Sequence, residues 1–391
     1  MSRLSLLYAC AFLACIISPA AAQTVNDGYQ MYIGGYPIAE TSWSNDCQGI
    51  AHDDNNWFIT QTEVLWKIPV QLDLRTVTSS SPGVIRRTLG SYPALTGYHH
   101  TGDLVVHRHN GVDYLLVPLE GPGLLGTIAV FNCATLNYIT HAELHNQAGD
   151  AGWCAVDSAG VLYSSLQHAS FLKTYDVNWP LLQSSGILST TARTPEAMLD
   201  EAGAALDLVT MQGGEFAPGG QLLYLISGFY DDSGGLEERE GIHILQREVQ
   251  PGGAVSWRRV AHSTRGIGGH FDFYYDPGFP TYEEPEGLTI WNLDDGRAPG
   301  IRGQLHAMVS DNDAITGDID LKHYTFAIHV DATSTCQSGT PACPFRTVTA
   351  AANLAWDGSE LRIRSNTYSG PITISKRVRL AAQGGIVRIG H

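Results

Sequence analysis

Five segments of this chain repeat one pattern, and that repetition restricts the fold more than any other feature. In each, a small or acidic residue precedes a short apolar run. A turn rich in Asp, Asn or Gly follows, then a second apolar run rich in Tyr, Trp, Leu and Val. The segments are 47–60, 102–118, 152–165, 214–227 and 286–310, the last with a longer turn. Each reads as a β-hairpin. A third β-rich run follows at 65–70, 127–131, 172–177, 242–245 and 324–330. Repeat starts lie about 50–70 residues apart, a spacing of short antiparallel strands that fits propeller blades. The pattern predicts an all-β chain and, within that class, a β-propeller of about five blades. A sandwich or jelly roll is the other all-β arrangement. An early run at 30–34 is expected to pair with the last blade and seal the ring. One stretch, 194–206, reads as helix: Thr194 as cap, Pro195 at the first position and acidic residues after it. It is expected as an insertion before the fourth blade.

The ends differ from this repeat. Arg3 is followed by an apolar run from Leu4 to Ile17 and the small-residue stretch Ser18-Pro19-Ala20-Ala21-Ala22, the form of an export signal. A cut after Ala22 leaves 369 of the 391 residues, so residues 1–22 are expected as signal peptide and the mature protein as secreted, extracellular or periplasmic. No later run reaches the roughly 18 apolar residues a membrane span needs. Residues 23–331 form the expected propeller, and 332–391 a second module. That tail carries Arg346, Arg362, Arg364, Lys376, Arg377, Arg379 and Arg388 against only Asp357 and Glu360, in a chain of net charge −16. A charge step of this size marks a boundary. The acidic remainder argues against nucleic acid and anionic membranes as partners.

Within the tail, residues 360–364, 371–375, 377–380 and 386–389 alternate apolar and polar, as strands with one buried face do. With the 344–348 run, the helix-prone 350–356 and Asn366-Thr367-Tyr368-Ser369-Gly370, they resemble the opening turns of a pectin-lyase-like parallel β-helix. The resemblance implies a short β-helix-like module. It stops after one or two turns, so no catalytic groove comes with it. Such a module binds, anchors, sorts or caps.

Two of the seven cysteines fall in the signal. Cys336 and Cys343 flank a Gly- and Pro-containing turn and are expected as a local disulfide, which an exported protein permits. Cys47 with Cys154 is a further candidate pair, beside Cys133.

In a propeller the innermost strands begin around one mouth of a central channel, and loops there carry function. That logic gathers Gln48, His100, Asp103, Trp153, Glu215 and Glu286, with His99, Glu283 and Glu284 nearby. His100, Asp103, Glu215 and Glu286 are candidate catalytic groups, with His100 and Asp103 as an acid–base pair. Converging carboxylates favour a bound cation, so Asp103, Glu215 and Glu286 are candidate Ca²⁺ ligands. Glu286-Gly287-Leu288-Thr289 resembles a strand start of gluconolactonase-type and phytase-like propellers, where the acid holds axial calcium; Gln48 replaces the acid in the first blade. His270, Tyr274 and Tyr282 belong to an aromatic loop suited to stacking on sugars. Gln48, His99 and Trp153 complete the expected ligand-binding set. No Gly-x-Ser-x-Gly elbow, phosphate loop or His-Glu-x-x-His occurs. The ligand is therefore expected to be a carbohydrate or other small polar molecule, bound rather than transformed. The alternative is a metal-assisted hydrolase, lactonase or polysaccharide-acting enzyme. Oligomeric state is not legible.

Overall fold

The computed structural model describes residues 30–390 apart from 229–238, 265–270, 277, 279–281, 312–316, 336, 338, 340–343 and 356–358. The expected signal, His270, Cys336 and Cys343 lie outside the described residues. Strand β1 (Gln30–Glu40) precedes a ring of five blades. Blade 1 contains β2 (Cys47–His52), β3 (Asn56–Gln61), β4 (Val64–Pro69) and β5 (Ile85–Thr88). Blade 2 contains β6 (His100–Thr101), β7 (Val105–His109), β8 (Val112–Glu120), β9 (Leu125–Asn132) and β10 (Tyr138–Ala148). Blade 3 contains β11 (Ala155–Val156), β12 (Val161–Ser164), β13 (Phe171–Val177) and, after helix α1 (Trp179–Ser185), β14 (Thr190–Ala192). Strand β15 (Glu196–Leu199) leads to blade 4, which contains β16 (Met211–Phe216), β17 (Leu222–Ser227), β18 (Gly241–Val249) and β19 (Val255–Thr264). A short β20 (Phe271–Asp272) adds to β19. Blade 5 contains β21 (Glu283–Ile290), β22 (Leu305–Asp311) and β23 (Asp318–Val330).

Ring closure follows from strand parity. A strand's side chains alternate between faces, and here both faces are buried, so the strands read as unbroken apolar runs. In β17, Leu223 and Leu225 pack with Trp153, Tyr163 and Leu172 of blade 3. The intervening Leu222, Tyr224 and Ile226 pack with Leu288, Leu305 and Tyr324 of blade 5. In β8, Leu115 and Val117 meet Phe58 and Leu65 of blade 1, while Tyr114 and Leu116 meet Leu162 and Tyr175 of blade 3. The ring closes where Trp57, Ile59 and Trp66 of blade 1 meet Trp291, Met308 and Leu321 of blade 5. Each interface thus has its own core, and each fully buried Leu, Ile or Phe contributes about 1.5–3 kcal/mol.

As expected, the earliest strand seals the last blade: β1 runs antiparallel to β23, with Gln30 opposite Phe326 and Glu40 opposite Asp318. The expected helix at 194–206 is absent. Glu196–Leu199 is instead a strand pairing β13 and β19, which joins blades 3 and 4 into one ten-stranded sheet. Tertiary bonds override local propensity there: Trp257 Nε1 donates to Glu196 Oε2 at 2.7 Å, and Met198 is fully buried. The helix of this region is α1, capped by the Asn178 side chain and ended by Gly186 at φ 68°.

The tail forms helix α2 (Val348–Leu354), strand β24 (Glu360–Tyr368) and strand β25 (Arg379–Ile389). Strand β24 lies parallel to the last four residues of β23 and to β25. Its core is Ile328, Val330, Phe345, Val348, Leu361, Ile363 and Tyr368. Residues 371–375, expected as a strand, are not one; of 377–380 only 379 and 380 fall in a strand, the single β25 that also takes in 386–389. The module thus shares β23 with the propeller. Among the described residues no helix is long and apolar enough to cross a membrane.

Candidate functional site

The inner strands meet around one buried residue. The Asp103 N–H donates to Gly152 O at 2.8 Å, and its carbonyl accepts from Cys154 N at 3.1 Å, which ties blade 2 to blade 3. Its Oδ1 accepts from Ile50 N of blade 1 at 2.9 Å. Its Oδ2 accepts from Gly214 N of blade 4 at 3.1 Å and from Leu288 N of blade 5 at 3.5 Å. One side chain and its peptide therefore bond all four other blades. The repeat's glycines make room for it. A Cβ at Gly49 would sit 2.4 Å from Asp103 Cα, and Cβ atoms at Gly213 and Gly287 would sit 2.5 Å from its carboxylate oxygens. At Gly102 a Cβ would meet Gly152 O at 2.0 Å. Asp103 is 0 % exposed, so the channel is closed at its level. Burial pushes this carboxyl well up, and the three N–H donors oppose that.

Above this plug, at the starts of the inner strands, lies a polar mouth. Gln48 Nε2 points at Glu286 Oε1 at 3.5 Å, and Gln212 Nε2 donates to Glu284 Oε1 at 2.6 Å. Glu120 Oε1 accepts from Ala151 N at 2.7 Å, while its Oε2 faces His100 Nδ1 at 3.5 Å. Gln212 and Glu120 come together across Gly152, each with a side-chain oxygen 3.9 Å from where a Cβ would stand. Burial pushes Glu286 well above the usual carboxylate range, reinforced by the charges of Glu284, Asp103 and Asp46. Burial and then Glu120 raise Asp150 in the same way.

Below the plug, Glu215 Oε2 accepts from Ile290 N at 2.9 Å. Burial pushes its carboxyl up to about 7, against the hydrogen bond from Ile290.

This geometry divides the expected catalytic set. His100 faces Glu120 rather than Asp103, so the expected His–Asp pair does not form. Asp103 spends its oxygens on backbone N–H groups of three blades. Glu286 lies at the mouth and Glu215 beyond the plug, so the three expected Ca²⁺ ligands do not surround one point. Among the described residues no three His, Cys, Asp or Glu side chains are placed to share a metal ion. Trp153 is 0 % exposed and donates through Nε1 to Ser165 Oγ at 2.8 Å, so its ring packs between blades instead of facing a ligand. Gln48 is partly exposed at the mouth end of β2, Tyr282 is partly exposed just before β21, and His99 is exposed. Of the aromatic loop, Tyr274 is 65 % exposed, whereas Phe273 and Tyr275 are buried and Tyr275 donates to Glu240. Cys47 and Cys154 are separate buried thiols, as is Cys133; no disulfide joins the first two.

Glu120, Asp150 and Gln212 escaped the sequence reading. For Glu120 a signal exists: the hairpin places it opposite His100. Gln212 stands one residue before the blade-4 glycine, where Gln48 and Glu286 stand before theirs.

Fold and site together define a five-bladed propeller with a closed axis and a polar mouth. No family model matches the chain, and no curated protein matches it. Among solved structures it is similar to a GH43_1 enzyme from Xanthomonas citri, at TM-score 0.41 and 10 % identity over 75 % of this chain and 90 % of that one. It is also similar to the arabinanase Arb43A of Bacillus subtilis, at TM-score 0.39 and 14 % identity over 73 % and 95 %, and to a streptogramin B lyase, at TM-score 0.34 and 10 % identity over 76 % and 98 %. The likeness is one of fold alone.

Proposed function

We propose that the protein is an exported propeller that binds an uncharged carbohydrate at its mouth. The observation that supports this best is the alternation of amides and carboxylates above the Asp103 plug: Gln48 with Glu286, and Gln212 with Glu284. Sugar hydroxyls both donate and accept, and such pairs offer both partners within a few ångströms. Tyr282 and His99 stand at the rim. The test is calorimetric titration of the full chain with a panel of neutral oligosaccharides, beside Gln48→Ala and Gln212→Ala. Binding that weakens in both variants supports the reading. A wild-type protein that binds no member of the panel, or variants that bind unchanged, refutes it.

A second reading rests on Glu286 alone. Burial, reinforced by the neighbouring acids, shifts its carboxyl well above the ordinary range, the direction a general acid in glycoside hydrolysis requires. Release of reducing sugar that Glu286→Gln abolishes would favour it. Export is tested by fractionating cells that produce the full chain and a version lacking residues 1–22.

A further inference from the structure

We propose that a crevice between blade 5 and the C-terminal module is a second carbohydrate site, selective for uronate-bearing, anionic oligosaccharides. It encloses about 740 Å³ between the 292–302 turn and residues 377–379. That is the size of small-ligand sites in general. The crevice opens beyond Ile290, at the opposite end of β21 from the mouth. From Glu286 to Asn292 the strand and its exit cover about 20 Å. The two sites therefore lie on opposite faces of the ring.

Its chemistry is also opposite. Arg302, Arg377 and Arg379 line it, and all three are exposed. The one lining acid, Asp294, is occupied within the wall: its Oδ1 accepts from Gly303 N at 3.0 Å and its Oδ2 from Gln304 Nε2 at 2.7 Å. Arg379 reaches Glu360 at 3.3 Å, but that carboxylate also accepts from Arg362 at 2.9 Å, so one acid serves two guanidiniums. The crevice is thus a cationic spot on a chain of net charge −16. The acidic propeller repels polyanions, so an anionic ligand is directed to the basic module that walls this crevice. The floor is apolar where Val378 is partly exposed, and the lining Leu293 and Ile301 are buried. A uronate residue presents a C–H face to such a floor and a planar carboxylate that a guanidinium fork grips with two parallel bonds. Neutral sugars lack the second feature, and inorganic anions lack the first.

The test is calorimetric titration of the full chain with oligogalacturonate, with a neutral oligosaccharide of equal length and a sulfated, carboxylate-free one as comparisons. The wild type is expected to bind oligogalacturonate most tightly, with affinity falling as salt rises. Arg302→Ser with Arg377→Ser should weaken it about tenfold or more, since two charge-assisted contacts are lost. Both positions are on the surface, and an unchanged thermal melt verifies the fold. Gln48→Ala, at the mouth, should leave this binding intact, which separates the two sites. No wild-type binding to oligogalacturonate, unchanged binding in the double variant, or tighter binding of the sulfated or neutral oligosaccharide overturns the assignment.

Discussion

Replacing Asp103 tests the axial plug most directly. In Asp103→Ala, the N–H groups of Ile50, Gly214 and Leu288 lose their shared acceptor in a site closed to solvent. Each buried donor left unpaired costs about 1–3 kcal/mol, and the 3.5 Å bond from Leu288 belongs at the low end. The sum is about 3–7 kcal/mol, a large part of the 5–15 kcal/mol that holds a typical domain together. Asp103→Asn keeps one oxygen, enough for Ile50 or Gly214 but not both, and turns an NH₂ toward the remaining donors. Its cost should be smaller, about 2–4 kcal/mol. Urea denaturation followed by tryptophan fluorescence measures both, and eight tryptophans supply the signal. Near-UV circular dichroism in the absence of urea checks that each variant still packs. A loss below about 1 kcal/mol in Asp103→Ala would show that water or local rearrangement satisfies the three donors, and the plug would not be what joins the blades.

Three further outcomes follow from the same geometry. Gly287→Ala should destabilise at least as strongly as Asp103→Ala, because its Cβ would stand 2.5 Å from the Asp103 carboxylate and 2.8 Å from Gly49 Cα; a normal melt would refute the packing at the axis. Glu215, raised from 4.5 to about 7, favours the folded state below pH 4.5 and loses that contribution as pH rises through 7. Glu215→Gln should therefore gain up to about 3 kcal/mol relative to wild type between those limits, read as melting temperature against pH. His323 has the opposite sign. It is buried with Nε2 on Tyr36 O at 2.7 Å and Nδ1 2.8 Å from His306 Nδ1, and burial lowers it from 6.5 to about 4. Its contribution is complete above pH 6.5 and lost toward pH 4, so His323→Gln should flatten acid destabilisation by about 3 kcal/mol at most; an unchanged acid limb would refute the assignment.

The blades were legible because a propeller buries both faces of its strands. That leaves hairpins with unbroken apolar runs, such as 222–227, at regular intervals. Sealing by the early strand was legible for the same reason: a β-rich run with no blade of its own needs a partner. The stretch 194–206 misled because its caps and propensities are local, while Trp257 and strands β13 and β19 lie far from it in sequence. The site was half legible. The repeat located the inner strand starts, and with them Gln48 and Glu286. It did not tell which face each residue takes or what fills the axis. Asp103 carries the same local signature as an exposed acid, and only the glycines of the other blades, placed around it, reveal that it is enclosed. Glu120 arrives on the returning strand of a hairpin, a position the inner-strand logic does not sample.

Strand β23 gives its first nine residues to β1 and its last four to β24. One end of the clasp is made early in synthesis and the other nearly three hundred residues later, so β1 must wait unpaired until almost the whole chain is available. Contacts of such separation slow folding and leave an edge on which a second copy's β1 can settle. The same shared strand makes the tail a handle on the ring. Tension applied to the C-terminal module passes through β24 into β23, the strand that latches the first blade to the last. A tail held to a surface would thus transmit every pull to the seam of the propeller, and shear along paired strands is the direction in which that seam resists.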